Sequence, residues 1–171
     1  MENKMENKIK GLDSDDGFVF IKHESDTKVW QLPNGSAEHS LLLKESIIDN
    51  PNTESYGTSE SNPMVIKTIK VETMPFIVAY MNFYNGKNEK EPPEQPIKNI
   101  HLSVIFGDEY HLFTDIYNET DSVKTKILKL NDHVESTLYF SIKHLHKKLC
   151  AIAASILKDL NIAEIKKLVD S

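Results

Sequence analysis

The C-terminal stretch from Ile142 to Val169 constrains the fold of this chain more than any other part. Apolar residues recur there at spacings of three and four, which places them on one stripe of an α-helix. They are Leu145, Leu149, Ile152, Ala153, Ile156 and Leu160. Asn161 interrupts this period, and Glu164 follows three residues later, at the spacing of a capping box. The sequence therefore predicts a long amphipathic helix and a second helix that begins near Ile162.

An apolar stripe of this length must be covered, either by the protein's own core or by a partner. The periodicity alone favours the protein's own core, because most amphipathic helices face their own domain. The second helix adds Ile165, Leu168 and Val169. Two such helices form half of a core, an arrangement more typical of docking onto a partner than of catalysis.

Composition narrows the class of protein. The 171 residues fit one domain, and a hydrophobic content of 39% is enough for a core. The net charge is −6, and all 20 basic residues are lysine, so we expect neither nucleic-acid binding nor attachment to an anionic membrane. The apolar runs are too short for a membrane span, and the N-terminal residues lack the apolar centre of a secretory signal. We therefore expect a cytoplasmic or nuclear protein.

The N-terminal third predicts a short tail, two strands and a helix. Residues 1–16 are too polar to bury themselves and are interpreted as a flexible tail. Two β-type runs, 18–21 and 29–32, flank a polar stretch and predict a hairpin or two neighbouring strands. Ser36 is a candidate N-cap for a short helix through 41–48, which must stop before Pro51.

The middle of the chain predicts a strand, a buried helix and a linker. Residues 64–69 alternate like a strand, and Thr73 is a candidate cap for a helix that ends near Tyr84. This helix is apolar nearly all round, which places it at the centre of the core. Residues 85–96, with three prolines, are interpreted as a linker.

Residues 100–116 alternate between apolar and polar side chains on both sides of Gly107, which predicts a second hairpin. The pattern then blurs, and residues 120–132 suggest a helix.

Three short patterns, taken in order, resemble the Skp family of BTB/POZ proteins, the adaptors of cullin-based SCF ubiquitin ligases. The first is Asn62-Pro63-Met64-Val65-Ile66, followed by the buried helix and by Lys90-Glu91-Pro92-Pro93-Glu94. The second is Tyr139-Phe140-Ser141-Ile142-Lys143-His144-Leu145. The third comprises Cys150, Ala154, Ile156 and Glu164-Ile165-Lys166-Lys167. The likeness covers residues 18–94 and 134–169, and elongin C is a relative in the same family.

The resemblance implies an α+β fold of the BTB/POZ type, with a small β-sheet flanked by helices and a C-terminal helical extension. On this basis, residues 17–142 form the BTB/POZ-like domain, with an atypical insertion at about 97–133. Residues 143–171 form the extension that docks partners.

The resemblance also implies two partners, a cullin and an F-box-type substrate receptor. Tyr139 falls on the cullin face, next to Leu138, where the family has asparagine. The F-box groove would use the apolar side chains of the two terminal helices: Leu145, Leu149, Ile152, Ile156, Ile165 and Leu168. Ile162 replaces the family's proline, and the family's last helix has no counterpart before Ser171. We therefore expect F-box binding to be weakened, altered or absent.

The other classes of function have less support. A stand-alone BTB module that forms a homodimer, or a decoy that binds one partner, is the first alternative to the adaptor. A hydrolase that uses Cys150, the only cysteine, would need a base and oxyanion donors, and no phosphate loop or nucleophile elbow is present. We therefore expect a protein that is not an enzyme and that carries no cofactor.

The acids and the histidines are the candidate metal ligands of this chain. Asp13, Asp15 and Glu24 match three positions of a calcium loop, but Phe18 occupies the position that requires glycine. Histidine pairs at 144/146 and 101/111 each lack a third ligand nearby. The sequence therefore predicts no metal site.

Overall fold

Helices and a small sheet form a mixed α+β fold in the computed structural model, as the sequence predicts. The structure describes residues 17–50, 56–94, 97, 101–118, 120–158 and 160–169, so the predicted tail at 1–16 lies outside the described residues. The strands are β1 (Phe18–His23), β2 (Val29–Pro33) and β3 (Met64–Ile66). The helices are α1 (Asn34–Ala37), α2 (Leu41–Leu43), α3 (Met74–Phe83), α4 (Leu102–Phe106), α5 (Tyr110–Phe113), α6 (Val123–Phe140), α7 (Lys143–Leu157) and α8 (Ile162–Val169).

The sheet has the strand order β2-β1-β3. Strand β1 pairs with β2 in an antiparallel ladder and with β3 in a parallel one, so Ile21 lies between Trp30 and Met64. Alternate residues of β1, namely Val19, Ile21 and His23, are buried, as the period of two in a strand requires. The prediction of two neighbouring N-terminal strands is confirmed, and one face of this sheet covers the core.

Helix α3 lies at the centre of the core, as predicted from its apolar sequence. Its buried residues are Met74, Ile77, Val78, Tyr80 and Met81, and it ends at Phe83. Thr73 is the N-cap residue of this helix, as predicted, but its side chain makes no capping hydrogen bond. Its hydroxyl lies 2.7 Å from the Lys70 carbonyl oxygen and 2.6 Å from the Ser136 hydroxyl, which joins the start of α3 to α6.

The cap of the short helix before Pro51 was predicted at the wrong serine. Ser36 is buried inside α1, whereas Ser40 Oγ accepts a hydrogen bond of 3.2 Å from the Leu43 amide. Ser40 therefore caps α2, which continues as a turn of π-helix over Lys44–Ile48. The helix does stop before the proline.

The prediction of a hairpin over 100–116 is wrong, because this segment is helical where the structure describes it. Helix α4 buries Leu102 and Phe106, four residues apart, and leaves Val104 between them exposed. A strand would have placed these three side chains on one face, so the period of burial is that of a helix. A short apolar run is compatible with a strand and with a helix. Packing of this segment against the core selects the helix.

Helices α6 and α7 complete the core, and α8 follows them. Helix α6 confirms the helix suggested at 120–132 and extends it to Phe140. The capping box before α8 is confirmed: the Asn161 amide donates to Glu164 Oε2 at 2.8 Å, and the Glu164 amide donates to Asn161 Oδ1 at 3.0 Å. In the part of the chain that the structure describes, no helix is long and apolar enough to cross a membrane.

Candidate docking surface

A tight turn between α6 and α7 presents the residues for which the resemblance implies cullin binding. Ser141 adopts the left-handed conformation, with φ of 55°, and ends α6. The Ser141 amide donates to the Leu138 carbonyl oxygen at 3.1 Å, and the Ile142 amide donates to that of Thr137 at 3.0 Å. This hydrogen-bonding pattern satisfies the last carbonyls of α6, so the chain reverses at once into α7.

A buried hydrogen bond holds α2 against this turn. Ser40 Oγ donates to the Phe140 carbonyl oxygen at 2.6 Å, while it also caps α2. The next residue, Leu41, is thereby held near the end of α6. Two apolar side chains from distant parts of the sequence, Leu41 and Leu138, meet at one surface.

These residues line an open pocket of about 310 Å³, which we call the α6–α7 pocket. Its lining residues are Leu41, Thr137, Leu138, Ser141, Ile142, Lys143, His146 and Lys147. Leu41 is 40% exposed and Leu138 is 58% exposed, so the two leucines give the pocket an exposed apolar patch. Lys143 and Lys147 make its rim basic, so the pocket suits an apolar side chain next to acidic residues.

The two residues predicted for the cullin face occupy different environments. Leu138 lines the α6–α7 pocket and is exposed. Tyr139 is half-buried, and its ring contacts that of Phe140 edge-to-face at 5.5 Å. Leu138 is therefore the more accessible of the two, whereas Tyr139 is held by the core.

The residues predicted for the F-box groove divide into two sets. Leu145, Leu149 and Ile152 are buried in the protein's own core, which was the cover that the periodicity alone favoured. Ile156 and Leu168 are half-buried, and Ile165 is exposed. A side chain without exposed surface cannot contact a partner unless the helix moves, so the surface available here for a second partner lies on α8 and the end of α7.

A buried ion pair between α7 and the 101–118 segment was missed from the sequence. Lys148 and Glu109 are each 1% exposed, and Lys148 Nζ lies 2.8 Å and 3.0 Å from the two carboxylate oxygens. The hydroxyls of Tyr80 and Tyr84 lie 3.3 Å from the same Nζ, and Tyr84 also donates to Glu109. A lysine three residues after Leu145, within the apolar stripe, was the available signal for a buried charge.

A second acid, Glu89, extends this network to the surface. Tyr80 donates to Glu89 Oε1 at 2.6 Å, and the Nδ1 atoms of His39 and His144 lie 3.6 Å and 3.7 Å from Glu89 Oε2. Burial raises the pKa of Glu89, but the hydrogen bonds of His39 and Tyr80 and the nearby histidine charges outweigh it and lower the pKa overall. Burial and the two nearby carboxylates, Glu89 and Glu109, raise the pKa of Tyr80 well above its ordinary value.

The residues considered for catalysis or metal binding do not form a common site among the described residues. Cys150 is half-buried, with Sγ 3.6 Å from His146 Nε2, and burial raises the pKa of its thiol. His101 and His111 do not meet across a hairpin, since that hairpin does not form. No three histidine, cysteine or acidic residues that the structure describes are grouped so that they could hold a metal ion.

Comparison with known proteins does not place the chain in a family. Neither a family model nor a curated protein matches it.

Proposed function

We propose that this protein is a non-catalytic adaptor with a BTB/POZ-like fold, resembling the Skp proteins, that binds a cullin through the α6–α7 pocket. The observation that carries this proposal is the exposed pair of leucines, Leu41 and Leu138, in a pocket beside the position where the resemblance implies a cullin contact. An F-box-type receptor would bind at the other end of α7 and at α8.

The pocket has properties of an interface core. Complete burial of a fully exposed leucine is worth about 1.5–3 kcal/mol, so burial of the exposed 58% of Leu138 corresponds to about 1–2 kcal/mol. Two leucines at the centre of a patch, with lysines around them, combine an apolar anchor with a charged rim, as in other protein interfaces. Leucine at position 138 replaces the polar contact implied by the family pattern with an apolar one, so the partner surface must be apolar there.

Helix α8 is the candidate for the second partner. Its first apolar residue, Ile162, is exposed, as is Ile165 one turn later. The capping box fixes where this helix begins, so the two isoleucines form a short apolar edge. An amphipathic helix of a receptor would cover this edge by helix-in-groove packing.

Pull-down with a cullin N-terminal domain tests the first contact. Leu138→Asp should weaken cullin capture by about 30-fold, the ~2 kcal/mol expected for a hot-spot residue. Leu128→Asp is the matched control, because Leu128 lies on the same helix and is 56% exposed, but does not line the pocket. Equal capture by both variants would overturn the assignment of the pocket.

The alternative is a decoy that binds one partner only. The burial of Leu145, Leu149 and Ile152 favours it, because these side chains leave little of the expected F-box groove uncovered. Pull-down with an F-box peptide discriminates between the two functions. If the wild type captures the F-box peptide and Ile165→Asp does not, the adaptor is supported. If the protein binds the cullin but does not capture the peptide, the decoy is supported.

A further inference from the structure

A groove of about 910 Å³ lies between the start of α3, the α5 region and α6, and it shares no lining residue with the α6–α7 pocket. Its wall includes Phe76, Leu112 and Ile116, which are apolar, and Glu72 and Asp115, which are acidic. Its volume is within the range of sites that hold a ligand or a side chain of a partner. The 101–118 segment forms one side, so the groove exists because that segment folds as helices.

Two histidines in the groove wall have their ring orientation fixed by backbone carbonyls. His111 Nδ1 lies 2.6 Å from the Asp108 carbonyl oxygen, and His133 Nδ1 lies 2.6 Å from that of Lys129. A carbonyl oxygen can only accept, so each Nδ1 carries the hydrogen and each Nε2 of a neutral ring is left as an acceptor. Burial lowers the pKa of His133, which keeps this ring neutral at neutral pH.

The groove contains carboxylates that are not paired with its lysines. Lys70 pairs with Asp132, and Lys129 pairs with Asp121, each at 2.8 Å. Asp115 makes no hydrogen bond or ion pair with the other described residues, and Glu72 is exposed near the Lys70 pair. With both lysines already paired, the remaining polar groups are two carboxylates and two histidine acceptors.

The apolar wall can hold the stem of a long side chain. Phe76 is half-buried, and its ring meets His133 edge-to-face at 5.1 Å and Phe113 at 5.9 Å, which fixes its position. Leu112 and Ile116 line the same groove as Phe76, so together they form its apolar wall. An arginine side chain combines the required apolar stem with a donor-rich, charged end.

We propose that this groove binds an arginine-bearing segment of a partner protein, with the guanidinium donating to Asp115 and Glu72 and the stem lying on Phe76. The chain itself contains no arginine, so the segment belongs to a different protein. The net charge of −6 attracts a basic segment at long range. This surface is independent of the proposed cullin and F-box contacts.

Nuclear magnetic resonance of the full ¹⁵N-labelled chain tests the proposal with a capped pentapeptide, Ser-Leu-Arg-Leu-Ser. We expect saturable shifts of amide signals at Asp115, Phe76 and His133, and none at Leu138. The same peptide with citrulline in place of arginine should bind several-fold more weakly, because citrulline keeps the shape and loses the charge. Raising the salt from ~0.05 M to ~0.5 M should also weaken the arginine peptide, since it screens exposed charges.

Charge-removing variants connect the binding to the two acids. Asp115→Asn should weaken the arginine peptide about two- to fivefold, as expected for one partly exposed ion pair, and addition of Glu72→Gln should weaken it further. Glu60→Gln is the control, because Glu60 is an exposed acid outside the groove, and it should leave the affinity unchanged. Equal binding of the citrulline peptide, or shifts centred elsewhere, would overturn the proposal.

Discussion

The substitution Lys148→Met should lower the free energy of unfolding more than almost any other single change to a charged residue. The substitution keeps the length of the side chain but leaves Glu109, which is 1% exposed, without its counter-ion. Removal of one partner of a buried ion pair typically costs about 3–5 kcal/mol, because the remaining charge is neither paired nor hydrated. A domain of this size is stable by only ~5–15 kcal/mol, so the loss is readily measured by urea unfolding.

A double-mutant cycle separates the ion pair from simple loss of packing. Glu109→Leu should cost a similar amount, since it leaves the Lys148 ammonium unpaired. The double variant should cost only about 1–2 kcal/mol, mainly because Tyr84 then loses the carboxylate to which it donates. The sum of the single effects therefore exceeds the double effect by several kcal/mol.

The matched control is the exposed ion pair on the same segment. Lys90 pairs with Asp108, and both side chains are more than half exposed, so Lys90→Met should leave the free energy of unfolding close to that of the wild type. If Lys148→Met unfolds at the same urea concentration as Lys90→Met, or if the cycle gives a coupling below ~1 kcal/mol, the pair does not anchor this segment.

Three further changes probe the turn, the acid near the histidines and the cysteine. Ser141→Gly should raise the free energy of unfolding by ~1 kcal/mol in a urea titration, because glycine adopts the left-handed conformation without strain; a loss of stability would contradict this. The pKa of Glu89 is lowered in the folded state. Its ionised carboxylate therefore stabilises the folded state above the ordinary glutamate pKa of about 4.3, and this stabilisation is lost as the pH falls below that value. The stability difference between wild type and Glu89→Gln should therefore shrink on acidification, and a difference that grows would refute the contacts with Tyr80 and His39. Burial raises the pKa of the Cys150 thiol, so at pH 8 Cys150 should react with a disulfide reagent more slowly than free cysteine, and a faster reaction would indicate an activated thiolate.

The features that can be predicted from the sequence are those whose determinants are local. The capping box of Asn161 and Glu164 depends on residues three apart, and the structure contains both of its hydrogen bonds. The apolar sequence of α3 likewise requires burial on nearly every side, whatever surrounds it. In these cases neighbouring residues alone determine the outcome.

Features whose partners are distant in the chain could not be predicted. The apolar spacing of Leu102 and Phe106 fits a strand or a helix, and contact with the core selects the helix. Lys148 and Glu109 are 39 residues apart, and nothing in their spacing links them. The α6–α7 pocket is similar, because Leu41 and Leu138 are distant in the chain, and the hydrogen bond of Ser40 to the Phe140 carbonyl oxygen helps to hold their helices together.

The most direct test of the proposed adaptor function is whether a cullin and a receptor bind at the same time. The chain, a cullin N-terminal domain and an F-box-containing receptor are mixed, and the mass of the complex is measured by light scattering after size-exclusion chromatography. We expect one complex that contains one copy of each protein and that loses only the cullin in Leu138→Asp. Binary complexes alone, or displacement of one partner by the other, would contradict it.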